Sequence, residues 1–241
     1  LRQEVTGMLT LSGTNSYTGA TFISAGTLGI SSDANLGTAP SSAQTNQLVI
    51  GNGGNLYFYP VFTTALNANR GITLDSGGGT FVVASSGISY AGVMAGTGSF
   101  TKSGSGSLTL SGANTYLGGS TLAAGTLKVG IASAGSVGSI TSGALGTGDV
   151  VVASGSALDL NGYNALNGLS VSGTGISSSG VVYNSTATPV TLWGPLTLTG
   201  DSSVISTPGL TLNTVNGGVY ALNATAGTGA GNGAPCADRG L

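Results

Sequence analysis

An apolar residue, a small or polar one, and a second apolar residue form a unit that recurs along this chain. It appears as Leu9/Leu11, Leu28/Ile30 and Leu48/Ile50. After a less regular middle it returns as Leu108/Leu110, Leu127/Val129, Val150/Val152, Leu169/Val171, Val190/Leu192 and Leu210/Leu212. Residues two apart share one face of a strand, so each unit turns two side chains inward. The units step by roughly 19 to 23 residues, the period of a solenoid coil. Further units, Ile72/Leu74, Phe81/Val83, Leu158/Leu160, Leu196/Leu198 and Tyr220/Leu222, are expected as second or third strands within a coil. Between them lie Ser12-Gly13-Thr14-Asn15, Gly51-Asn52-Gly53-Gly54, Gly77-Gly78-Gly79 and Gly104-Ser105-Gly106. Gly and Asn tolerate positive φ and mark corners. Glycine recurs too often for helix.

The pattern predicts an all-β fold, a right-handed parallel β-helix (β-solenoid) with roughly 20 residues per coil. Such a chain makes roughly 11 or 12 coils, a rod on the order of 50 Å long. A β-sandwich remains a rival, because its strands recur at about 8–12 residues, near half a coil. An outer-membrane barrel needs longer alternating strands and aromatic girdles, which one Trp and eight Tyr do not furnish.

One sentence is written twice. LTLSGTNSYTGATFISAGTLGI spans 9–30, and LTLSGANTYLGGSTLAAGTLKV spans 108–129, aligned without a gap. The equivalent pairs are Leu9/Leu108, Leu11/Leu110, Gly13/Gly112, Asn15/Asn114, Tyr17/Tyr116, Gly19/Gly118, Gly26/Gly125, Leu28/Leu127 and Ile30/Val129. The doubled motif resembles the passenger-associated transport repeat of bacterial autotransporters, also called the autotransporter-associated β-strand repeat. The flanks match too: 71–83 and 96–116 look like the approach to such a repeat, and 144–175 like its exit. The stretch after the first copy, NLGTAPSSAQTNQLVI, is looser, and the match fades from Thr186 onward. The resemblance implies a right-handed β-helical passenger stalk, carried to the cell surface by type V secretion and helping the passenger fold and emerge. Residues 1–226 are expected to form one β-helical domain and 227–241 a loose Gly-rich tail.

Composition sharpens this picture. Only 5% of residues are charged, against a globular norm of about 25%. Stacked coils bring like positions into ladders, where repeated charge repels and Ser, Thr or Asn can hydrogen-bond. The 40% hydrophobic content argues against disorder. Net charge is −2, with Arg2, Arg70, Lys102, Lys128 and Arg239 scattered, so nucleic acid is not an expected partner. No apolar run reaches the length of a membrane-spanning helix. No signal peptide is visible, and the opening LRQEV suggests a mature or excised segment. The single Cys236 allows no internal disulfide.

Candidate chemistry is sparse. There is no histidine, so Asp75-Ser76-Gly77-Gly78, which imitates a serine-protease nucleophile segment, lacks its base and reads as a corner. Asp149 and Asp159 are the acids nearest in sequence but are expected on different faces, unlike a paired-carboxylate site. Gly146-Thr147-Gly148-Asp149 does not meet the calcium nonapeptide pattern. Asn184-Ser185-Thr186 and Asn223-Ala224-Thr225 are formal sequons. Asn15 and Asn114 are read as corners bonding their own backbone, and Tyr17 and Tyr116 as coil-edge cover, with a platform of exposed Tyr as the lesser reading. Gly26 and Gly125 allow the bend back into a strand. A Thr-x-Thr ladder once per coil, as an antifreeze surface demands, is not found.

The expectation is therefore a non-enzymatic structural and adhesive stalk segment of an exported bacterial surface protein. No catalytic, cofactor or metal residues are assigned. Its partners are copies of itself, stacked end to end, or host and matrix surfaces. The alternatives are a filament or sheath subunit and, less favoured, a polysaccharide-active β-helix enzyme.

Overall fold

The computed structural model describes residues 1–62, 65–85, 87–206 and 209–226. The tail from 227, with Cys236, lies outside the described residues. The strands are short because a Gly or Asn corner follows one or two inward pairs. Gly54–Phe58, Gly79–Val83 and Gly125–Val129 each alternate buried and half-buried positions. They pair in parallel with strands one coil away rather than with their neighbours in sequence. Parallel partners need a long connection, and here the connection is the rest of the coil. The result is a β-solenoid of about 10 turns with roughly 22 residues per coil. Parallel pairing around one axis replaces the rival sandwich.

Three faces run along the axis. Face one stacks Arg2–Gln3, Thr21–Ile23, Gln44–Ile50, Arg70–Leu74 and Met94–Ala95. Face two begins with Met8–Leu11 and Thr27–Ile30. It continues through Gly54–Phe58, Gly79–Val83, Phe100–Ser103, Ser120–Leu122, Val150–Val152 and Leu169–Gly173. Face three starts at Ala65–Leu66 and climbs through Gly87–Tyr90, Ser107–Leu110, Gly125–Val129, Ser156–Asp159 and Val182–Asn184. The long strand Val190–Ser206 bends around the stack, pairing with strands of more than one face.

The coil length agrees with the sequence period, but the stack has fewer turns than a uniform division of the chain gives. The reason is that coils are uneven. Leu9 pairs with Leu28, and Val151 with Ser170, across short coils. Thr121, however, pairs with Val151 across a much longer one. The excess is an antiparallel hairpin, Ala134–Ser136 with Ser139–Ser142, looped out of that coil. Lengthening a corner loop costs little chain entropy once its ends are fixed, so the stack tolerates uneven coils. Tyr220 also departs from expectation: it is exposed in a turn closed on Gly217, and only Leu222 of that pair packs on the core.

Inward side chains form columns. On face two, Leu28, Leu56, Phe81, Lys102, Leu122 and Val152 succeed one another, one per coil. The irregular middle of the sequence is the aromatic part of this core. Phe58, Phe81 and Phe100 meet edge-on with centroids 5.1 and 5.3 Å apart, and Tyr116 follows at 6.0 Å. Such pairs add about 0.5–1.5 kcal/mol to their burial.

Candidate functional site

Each copy of the motif closes one coil on itself. Leu9 pairs with Leu28 and Leu11 with Ile30; Leu108 pairs with Leu127 and Leu110 with Val129. Leu28, Ile30, Leu108, Leu110, Leu127 and Val129 are buried, whereas Leu9 and Leu11, in the first coil, pack on the core half-buried.

The asparagines clamp neighbouring coils more than their own backbone. Asn114 donates to the Ala144 carbonyl at 2.9 Å and accepts the Met94 amide at 2.8 Å, so it ties the coils on both sides of it. Asn15 donates to the Asn35 carbonyl at 2.7 Å and to Gly13 at 3.2 Å. Tyr116 is fully buried and bonds Ser120 at 2.6 Å; Ser120 in turn donates to the Leu145 carbonyl at 3.1 Å. Burial pushes the Tyr116 phenol well above its usual range. Tyr17 makes the same bond to Thr21 at 3.0 Å but stays half-buried. A platform of exposed tyrosines is thus absent at the second copy.

The two tyrosines are covered alike. The amides of Thr38 and Thr147 donate to the carbonyls of Tyr17 and Tyr116. Gly37 and Gly146 precede them at φ +76 and +71, and a Cβ on either would run into the tyrosine. Leu36-Gly37-Thr38 and Leu145-Gly146-Thr147 are therefore equivalent, although the exit of the first copy reads as looser. Gly26 and Gly125 sit at φ +63 and +71, where a Cβ would meet carbonyls of the preceding coil. Gly112 and Gly118 lie against the backbone of Gly92 and Gly98, while Gly13 and Gly19 meet nothing within 4 Å.

The copies are not stacked above one another. In the first, the Leu9/Leu28 rungs belong to face two and Thr21–Ile23 to face one. In the second, the Leu108/Leu127 rungs belong to face three and Ser120–Leu122 to face two. The motif has moved around the axis by one face. Its Asn side moves with it: Asn15 bonds the 34–35 turn, whereas Asn114 bonds Met94 of face one.

Charged groups mostly act within the fold. Arg70, 1% exposed, bonds both carboxylate oxygens of Asp33 at 2.9 and 3.1 Å and donates to the carbonyls of Leu36 and Gly37. Lys102 points inward, and its Nζ donates to the carbonyls of Ser103, Gly104 and Ala124. Burial lowers its pKa to about 8. Lys128 and Asp159 are adjacent rungs of one column on face three, 3.4 Å apart. Asp159 Oδ1 accepts the amides of Asn161 and Ser185. Burial, and then the Asp159 charge, raise the Tyr183 phenol.

The outward side of face two carries a ladder that the sequence pattern hides. Thr27, Asn55, Thr80, Thr101 and Thr121 occupy successive rungs of one column, followed by Val151, Ser170 and Thr197. Thr10, Gly29, Tyr57, Val82 and Ser103 form the parallel column beside it. One column is Thr-rich, whereas the column beside it carries Gly29, Tyr57 and Val82. The strands of this face from Met8–Leu11 to Leu169–Gly173 turn no charged side chain outward; Asp201 lies further along the long strand, beyond Thr197. Tyr59 lies across Gly29, with its hydroxyl 3.0 Å from Thr10 Oγ1 and its ring edge-on to Tyr57 at 5.0 Å.

The other candidates are corners. Asp75–Gly78 is a turn in which the Gly78 amide donates to the Asp75 carbonyl. Asp149 precedes Val150–Val152 on face two, and Asp159 ends Ser156–Asp159 on face three. Among the described residues no three His, Cys, Asp or Glu side chains come together as a metal set. Asn184 is buried and donates to the carbonyls of Thr186 and Thr188, which closes that sequon to modification.

Passenger-associated-transport-repeat is the family that matches the chain, at residues 6–30 and 100–129. Both doubled motifs fall within these matches. The chain is similar to the Adhesin BmaC autotransporter of Brucella suis biovar 1 (strain 1330), with 38% identity over 165 residues. That alignment covers 64% of this chain and 4% of the relative, so the chain spans a small fraction of the relative's length. No solved structure matches.

Proposed function

We propose that this chain, which carries two passenger-associated transport repeats, is a non-enzymatic, adhesive stalk segment of an exported bacterial surface protein. One observation carries the reading: the ends of each repeat pair with each other, Leu9 with Leu28 and Leu108 with Leu127. A repeat can therefore close as soon as about 20 residues have emerged, with a loop-closure cost far below that of distant pairing. The closed coil then offers an edge on which the next one stacks, and stability accrues coil by coil. Folding outside the membrane thereby opposes backward sliding. The lack of converging carboxylates at Asp149 and Asp159 supports a structural role rather than polysaccharide cleavage. The β-helical part is taken as 1–226. The similarity to an autotransporter adhesin supports a place on the cell surface and contact with host or matrix surfaces.

The test is the double substitution Leu127→Asp and Val129→Asp in the full-length secreted protein. Each places a charge in a fully dry column, where burial is very costly. Surface display should fall several-fold, and limited proteolysis should open near 125–129. Unchanged display with unchanged protease resistance would refute the reading.

A further inference from the structure

We propose that the outward side of face two binds a neutral, extended polysaccharide laid along the solenoid axis. The proposal deepens the adhesive reading and rests on it. Three features of the face select this occupant. The first is charge: the strands present hydroxyl, amide, methyl and aromatic groups but no ion, so an anionic glycan or a nucleic acid would find no counter-charge here. The second is repetition. Thr80, Thr101 and Thr121 rise one per coil at the strand spacing of about 4.8 Å, comparable to one sugar unit of an extended chain. Neighbouring units of an extended β-1,4 chain are flipped about the chain axis, so like groups return at every second rung and each pair of units adds the same small increment. The third is aromatic. Tyr59 is held across Gly29 by its bond to Thr10, with Tyr57 beside it. A tyrosine fixed beside the ladder offers an apolar face to the C–H side of a sugar ring and keeps a polar handle at its tip. The edge of the face is also defined: the carboxylate of Asp149 stands at the corner just before Val150, not on the column.

The experiment uses the purified chain and three insoluble matrices: cellulose, chitin and dextran-sulfate beads. The wild-type chain should be retained on cellulose or chitin and not on dextran sulfate. Retention should persist when salt is raised to about 1 M, where surface charge pairs are screened. Thr80→Lys with Thr101→Lys should reduce retention at least tenfold, and Tyr59→Ala several-fold. Ser89→Lys, on face three, should leave it unchanged. Circular dichroism and protease resistance of the same variants report the fold separately. Failure of the wild-type chain to bind either neutral polymer overturns the proposal, as does elution by salt or equal loss in Ser89→Lys. A lateral dimer broken by the Thr80/Thr101 pair would also overturn it, by assigning the face to a second copy. In each case intact protease resistance leaves the stalk reading standing, whereas a wild-type chain lacking that resistance would refute the stalk itself.

Discussion

Asn15 and Asn114 hold the same place in the repeat, yet their removal should differ in cost. Asn114 is fully buried and bonded to two coils, so Asn114→Ala leaves the Met94 amide and the Ala144 carbonyl unpaired in a dry interior. The expected loss is about 2–4 kcal/mol. Asn15 is half-buried and water can replace it, so Asn15→Ala should cost about 1 kcal/mol or less; urea unfolding of both variants checks the difference. Gly146→Ala forces a Cβ into the Tyr116 ring at positive φ and should cost at least about 1–3 kcal/mol from the backbone alone, measurable the same way. Buried titratable groups predict the alkaline behaviour. Lys102 has a folded pKa lowered to about 8 from 10.5. Between those values the unfolded chain holds a proton that the folded chain has released, so stability rises with pH across this window. Tyr90 and Tyr116 are raised above 10.0 by burial. Above pH 10 the unfolded phenols ionise first, so stability falls. The melting temperature should therefore peak near pH 10, where the two limbs meet. Lys102→Met should flatten the rising limb, and Tyr116→Phe should weaken the falling one.

The strands were legible in the sequence because each carries its own evidence: Leu28/Ile30, Leu127/Val129 and Val150/Val152 are inward pairs wherever they sit. Their corners were legible for the same local reason. Their neighbours across coils were not. Within the Thr column the step from Val151 to Ser170 is short and that from Thr121 to Val151 long, so no fixed period reveals that Thr80, Thr101 and Thr121 share a line. The same unevenness made the coil count too high. It also made Leu36-Gly37-Thr38 look unlike its counterpart, when only the hairpin separates the two arrangements. That hairpin should be dispensable. Ser133 and Gly143 already lie against each other at its base, and the first copy closes without it. Deleting 134–142 should shift stability by less than about 1 kcal/mol, whereas deleting 125–129 should abolish folding of the neighbouring coils; thermal melts of the two variants compare them.

At the scale of the whole molecule, each coil touches chiefly the coils before and after it, so energy is shared with neighbours rather than with a central core. Arg70 is a local fastener in this chain of dependence: it binds the Asp33 carboxylate and three carbonyls of the 33–37 turn, and its own carbonyl accepts the Tyr90 hydroxyl at 2.7 Å. Arg70→Ala removes the donor to the Asp33 carboxylate, which keeps the Asn67 amide, and to those carbonyls, and should cost about 2–4 kcal/mol. The loss should register first as faster hydrogen exchange in 33–37 and 65–74, with 150–171 little affected. The sideways step between the two repeats has a wider meaning. A cassette of this kind need not be copied in whole revolutions, because any corner is an acceptable splice point and the interior accepts the same aliphatic pair on every side. Successive duplications would then set kindred modules at different compass bearings of the shaft, all from a single inherited phrase.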